Sequence, residues 1–481
     1  MGAVHLDFVF LLVAVAGPGE VRPDCGRVAS RGTGWIGAGR GKAREGFTYA
    51  PRRRGGCYGR ALSFGMARRI PLLVLLCVLH LRAAAQCPEG LEAFLTGFDT
   101  LAADQFSFLD DQLDSVSIVG YGEDTHGSAE FTVLARELLA YLVTRHGFTG
   151  VVLETMVGEG AMLDAYVQGE RDDLDRLLFE VNSSWRYRTD EFVALLEWMR
   201  GYNATATKPI HLYGSEMQFV KADAQLVREY LTEVGHAVEF GAFSKHIWQD
   251  FGREERTAAF EDYQRLLSAF TDGEDEMIAA TSSERYARMR HHVEVIGQFA
   301  LVVNQPRERY KHDLRDLYMA QNVLQPFKAG EKDTRLLYWA HNAHIGDWVS
   351  NGQVDVAGHQ LKKRMGQYYY GLATDFGNGE FRALAERGTM WSWQTIDFTL
   401  DPGTFTACLA RTGHPYAFLD LRAARRQPAL DSRLRAPLPV MGGAGAQYYG
   451  SPTTEEAVGR AFDGIIYLDR VHPITRRDRP E

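Results

Sequence analysis

Seven short runs in this chain are apolar rather than alternating, with a single histidine, His211, among them: Ser117–Gly120 with its flanks, Gly150–Leu153, Ile210–Tyr213, Leu336–Ala340, Tyr368–Ala373, Tyr416–Leu419 and Gly464–Leu468. A strand with one wet face alternates apolar and polar residues, whereas an unbroken run needs cover on both faces, as in a parallel sheet. Helical periods lie between the first runs. Phe131, Leu134, Leu138 and Leu142 form one stripe, and Phe192, Leu195, Leu196 and Met199 another. Strand and helix in alternation predict an α/β fold, a mainly parallel sheet flanked by helices. From residue 221 to 330 the strand signal stops, and segments such as "ERTAAFEDYQRLLSAF" are amphipathic with a helical period. That span reads as a helical insertion within one domain over residues 87–475.

The residues that end these runs carry the chemistry. The first run closes in "GEDTHG", with Glu123 and His126; the second in Glu154; the third in Glu216; the fourth in "AHNAHIGD", with His341, His344 and Asp347. Ligands of parallel α/β sheets bind beyond the carboxyl ends of the strands, so four such endings predict an active site at one edge. Taken singly, each has a structural explanation. His126 can cap the helix that follows, Glu154 can pair with an arginine such as Arg188 or Arg200, and His341 and His344 can be core histidines. Trp185, Trp198 and Trp339 read first as packing.

The chain has no G-x-S-x-G elbow, no Walker loop and no G-x-G-x-x-G after a strand, and its late cysteine, Cys408, lies far in sequence from the cluster. Histidine with glutamate remains, which suits general-base activation of water. A metal-dependent hydrolase or peptidase using the same histidines is a second reading, although H-E-x-x-H is absent. A non-catalytic ligand-binding protein is a third.

A net charge of -9 over 481 residues leaves no basic footprint for nucleic acid. Residues 1–65 are rich in Gly and Arg without periodicity and read as disordered or as an extension from an upstream start. Met66 opens a better beginning: two arginines, an apolar run and Ala83-Ala84-Ala85 form a signal peptide over residues 66–85. The run is too short for a stable membrane span, so the mature chain is expected to be exported, periplasmic or secreted. Cleavage there leaves Cys87 and Cys408, a pair that an oxidising compartment would allow to join.

The stretches "VGYGEDTHGSAEF", "VVLET", "LLEWMRGYN", "HLYGSEMQ", "YWAHNAHIGD" and "AFDGIIYLD" resemble, in that order, the erythromycin esterase family. The resemblance runs from about Ser117 to Asp469. It implies a hydrolase that opens macrolide lactones or related small-molecule esters by activating water, with no metal or other cofactor. On this sequence it makes His126 the general base, with Glu123 and Glu154 orienting it or the water. It makes His341 and His344 the groups that bind or polarise the carbonyl, and a protonated member of that pair the proton donor to the leaving alkoxide. Glu130, Arg136, Trp185, Glu216 and Asp347 are expected to line the substrate. The family's basic residue nine places after the base is Ala135 here, and Arg136 stands one step on, a turn of roughly 100° on a helix. Glu216 stands where the family carries aspartate.

Overall fold

Unbroken apolar runs pair with one another because each must lose water on both faces. The computed structural model describes residues 87–478 apart from 182–184, 242, 244–250, 329–332, 351–353, 388–389, 442–444 and 452. The expected extension and signal peptide lie outside the described residues. All seven runs are strands of one ten-stranded sheet. Its strands are β1 (Leu95–Phe98), β2 (Ile118–Glu123), β3 (Gly150–Met156), β4 (His211–Glu216), β5 (Leu336–His341), β6 (Tyr369–Arg387), β7 (Met390–Phe398), β8 (Tyr416–Asp420), β9 (Gln447–Tyr448) and β10 (Gly464–Val471). The order is β1-β8-β10-β6-β2-β5-β3-β4, with β7 and β9 pairing the far part of β6. From β10 to β4 every neighbour is parallel, while β1 and β8 are antiparallel additions at one side. β1, β7 and β9 were not among the apolar runs. β6 also continues well past Ala373 into the β6–β7 hairpin, whose β6 side still buries Phe376, Phe381 and Ala383 while β7 is half-buried or exposed until Phe398.

β2 and β3 are buried along their whole length. Successive side chains feed two separate cores, as the two-residue period requires. On β5, Leu336, Tyr338 and Ala340 enter one core with Phe299 and Met319, while Leu337 and Trp339 enter the other with Leu138 and Leu196. The second core is covered by α1 (Ala129–His146), which stops at Gly147 in the left-handed region (φ 67°), and by the helix Asp190–Asn203, whose first turn is capped by Thr189 Oγ1 accepting from Phe192 N. The first core is covered from the span 221–330. Its helices include α2 (Lys221–Glu233), α3 (Arg253–Asp272), α4 (Ser283–Val303) and α5 (Glu308–Val323). Among the described residues no helix is long and apolar enough to cross a membrane. Cys87 and Cys408 form a disulfide, with Cα atoms 5.6 Å apart.

Candidate active site

The sheet order explains why separate strand ends meet. β2, β5, β3 and β4 are consecutive and parallel, so their carboxyl ends reach one edge. Register places Glu123 opposite His341, and Met156 opposite Glu216. Between Leu153 and Met156 the register slips, which re-aims Glu154 at the end of an otherwise regular strand.

His126 lies in the loop after β2. It does not cap α1: the cap position is Ser128, and the imidazole turns back to Glu123, with Nδ1 2.5 Å from Oε1. Glu123 Oε1 also accepts from Arg186 Nη1 at 2.9 Å, and Oε2 accepts from the buried indole of Trp339 at 2.9 Å. Arg186 Nη1 lies 2.7 Å from His126 Nδ1, so the carboxylate is the shared acceptor between two donors. An ionised carboxylate only accepts, so its contact favours the ring proton on Nδ1, and Nε2 then faces Arg186 Nη1 at 3.3 Å. The His126 side chain keeps 11% of its surface exposed, against 5% for Glu123. Burial pushes the Glu123 carboxyl up, but His126 and Arg186 hold it below its ordinary value.

Glu154 is the hub of a second network. Its Oε2 accepts from the His341 backbone N–H at 2.9 Å, and its Oε1 accepts from Arg315 Nη2 at 3.1 Å. Arg186 Nη1 is 3.5 Å away and the His344 Nε2 3.6 Å. Burial raises this carboxyl too, yet Arg186, His344 and Arg315 bring it well below the usual range. Arg315 also donates from Nε to Glu216 at 2.6 Å. His344 Nδ1 sits 2.7 Å from Asp316 Oδ1. Burial alone would lower His344, but Asp316 lifts it above an ordinary histidine. His341 differs: Nδ1 accepts from Ala343 N at 3.1 Å, so Nε2 carries the proton and donates to the Asp124 carbonyl at 3.1 Å. Burial, helped by repulsion from His126, pushes it down to about 3. It stays neutral with both nitrogens engaged, whereas His344 is raised by Asp316 on its Nδ1 side and has Arg315 Nη1 3.1 Å from its Nε2. Among the described residues no three His, Cys, Asp or Glu side chains converge as a metal-ligand group.

Of the residues expected from sequence, Glu123, His126, Glu154, Glu216, His341 and His344 are thus gathered, and Trp185 joins them with its ring 6.4 Å from that of His126. Glu130, Arg136 and Asp347 are elsewhere engaged. Glu130 holds His472 near the carboxyl terminus, at 2.5 Å from its ring. Arg136 pairs with its neighbour Glu137, and Ala135 is buried, as the one-step rotation implied. Asp347 pairs with His359 at 2.7 Å. The arginine partner of Glu154 is neither Arg188 nor Arg200: Arg188 packs over Phe179, and Arg200 binds the Tyr166 and Arg171 carbonyls. Arg186 and Arg315 take that place. Sequence reading missed both, and Asp316 with them. The signal for Asp316 was faint but present: it lies on the same stripe as buried Met319, Ala320 and Val323, a charge on an apolar face. Beside His341, a cavity of about 200 Å³ is lined by Asp124, Asp375 and Glu456, with Trp348 and Phe462 as apolar walls. Burial lifts all three carboxyls, Asp375 to about 8 and Glu456 to about 7.

Known proteins share this arrangement of elements. The erythromycin esterase family model matches residues 143–471, a span that contains Glu154, Glu216, His341 and His344 and begins after Glu123 and His126. Erythromycin esterase type II of Escherichia coli is 23% identical over 407 residues, covering 76% of this chain and 92% of that one. Erythromycin esterase type I of Escherichia coli is 20% identical over 297 residues, 55% of this chain and 69% of that one. The fold is similar to that of a Bacillus cereus protein (TM-score 0.69, 21% identity, covering 81% of this chain and 98% of that one). It is also similar to a mutant of the erythromycin esterase EreC in its open conformation (TM-score 0.59, 16% identity, 78% and 98%). With well over half of its length matched by the family model, this chain belongs to the erythromycin esterase family.

Proposed function

We propose that the protein is an exported carboxylic-ester hydrolase in which His126 activates water for attack on an ester or macrolide lactone. The observation that carries this is the contact of His126 Nδ1 with Glu123 at 2.5 Å, fixed in turn by Trp339 and Arg186. On this proposal Nε2 keeps the imidazole lone pair that a general base needs, with Arg186 Nη1 3.3 Å from it, on a side chain that is 11% exposed. In this reading Nε2 takes a proton from water, and the oxygen bonds to the carbonyl carbon. As the tetrahedral adduct collapses, the carbon–alkoxide bond breaks and the alkoxide is protonated. His344, lifted by Asp316, is the donor this reading favours over His341. Glu154 and Arg315 keep the two halves of the site in register. Export is supported by the leader-like residues 66–85 and by the Cys87–Cys408 disulfide, a bond typical of oxidising compartments.

The test is mass spectrometry of erythromycin and a panel of simple esters and lactones after incubation with the protein and with His126→Ala. Addition of one water to any member, absent with the variant, supports the reading. Hydrolysis that survives His126→Ala removes the proposed base. Export predicts that protein recovered from periplasm or medium starts near Gln86.

A further inference from the structure

Large apolar side chains exposed singly are ordinary, but a cluster of them marks a binding surface. Among the described residues the large exposed hydrophobics are Tyr368, Met390, Trp391, Trp393 and Tyr449. All but Tyr368 sit on the β6–β7 hairpin or just after β9, which pairs with it. Trp391 and Trp393 are two residues apart on β7 and so share a face. Trp393 lies against Trp185 with ring centroids 4.1 Å apart and planes tilted by 45°, the Trp185 ring is 6.4 Å from that of His126, and Trp391 meets Tyr449 at 5.5 Å. A row of aromatic rings therefore starts beside His126 and runs outward along the hairpin.

The row is held to the His126 loop by backbone. Arg382 N donates to the Gly127 carbonyl at 3.1 Å, and a Cβ at Gly127 would overlap the Arg382 carbonyl. His126 N donates to Gly445 O at 3.2 Å, while Leu384, the β6 partner of Trp393, donates to Ala446 O at 3.0 Å. A sticky patch serving some distant purpose would not need this register with His126. We propose that these rings form a substrate shelf that binds a bulky apolar, ring-bearing group of the ester, with Trp393 as the specificity-determining residue. The proposal rests on the ester-hydrolase reading and narrows its substrate class to esters with an extended apolar body.

The experiment compares kcat/KM of the full chain on ethyl acetate, 2-naphthyl acetate and ethyl 2-naphthoate, for the parent protein, Trp393→Ala and Trp393→Phe. The expected result is a fall of roughly 3- to 10-fold in the naphthyl-to-ethyl preference with Trp393→Ala, carried by KM and largely restored by Trp393→Phe. An unchanged preference overturns the shelf. Calorimetry with the non-hydrolysable N-methyl-2-naphthamide separates this from failure of the esterase reading: if no ester is cleaved, weaker amide binding by Trp393→Ala still supports the shelf, and equal binding overturns it. Co-sedimentation of the parent protein with phosphatidylcholine–phosphatidylglycerol vesicles, lost in a Trp391→Ala, Tyr449→Ala variant, would assign the patch to a lipid surface instead.

Discussion

The two ends of the site are built from different parts of the chain and hold their histidines in opposite ways. At one end, His126, Glu123 and Trp339 come from the β2 and β5 ends of the sheet, and a single carboxylate collects three donors. At the other, His344 follows β5, but its partners Arg315 and Asp316 come from α5 in the helical span. The first end sets an imidazole against a buried carboxylate, and the second raises a histidine above its ordinary value through Asp316. Glu154 touches both ends through Arg186, Arg315 and the His341 backbone. The sheet thus supplies the His126 end, while the His344 end depends on a helix packed over it.

Under the proposed mechanism the largest effect should come from breaking the His126 end. His126→Ala is expected to lower kcat by about 10²–10⁴-fold with little change in melting temperature. A smaller loss than that caused by His344→Ala would reverse the roles of the two ends. Arg315→Met should unfold more easily, by about 3–5 kcal/mol in urea titration, because it leaves buried Glu216 without its cation and Glu154 with Arg186 but not Arg315. A cost below about 1 kcal/mol would mean that the helical span is not needed to hold the site together.

pH separates the ends further. His344 is raised, so its stabilising contribution is full below the ordinary histidine value of about 6.5 and is lost as pH rises through the raised folded value. If it donates the proton, kcat falls over the same alkaline range, and His344→Gln flattens that limb at a lower plateau. An identical alkaline limb in the variant would remove His344 as donor. His341 runs the other way. Its value near 3 means that the unfolded chain takes up a proton first, so stability falls as pH drops from about 6.5 towards 3. His341→Asn should make unfolding less acid-sensitive by this single group. No change in the acid slope would show that His341 is protonated in the folded state as well.

Much of this was legible beforehand because burial writes itself into composition. The seven apolar runs are strands, and the carboxylates and histidines that end β2, β3, β4 and β5 do meet. Glu130 and Asp347 looked equivalent in sequence, being equally close to motifs, but their local backbone sends them to His472 and His359. Arg186 and Arg315 were hidden because a charge beside aromatic residues or in an amphipathic helix is ordinary, and only three-dimensional proximity makes it a counter-ion.

By itself, then, the sequence determined which segments lose water on both faces, and with them the sheet and the edge where its polar endings collect. The tertiary structure decided which partner each histidine nitrogen meets and which arginines balance the buried carboxylates. Those depend on distances of a few ångströms between residues far apart in the chain, such as Glu154 and Arg315 at 3.1 Å, and local periodicity carries no record of them.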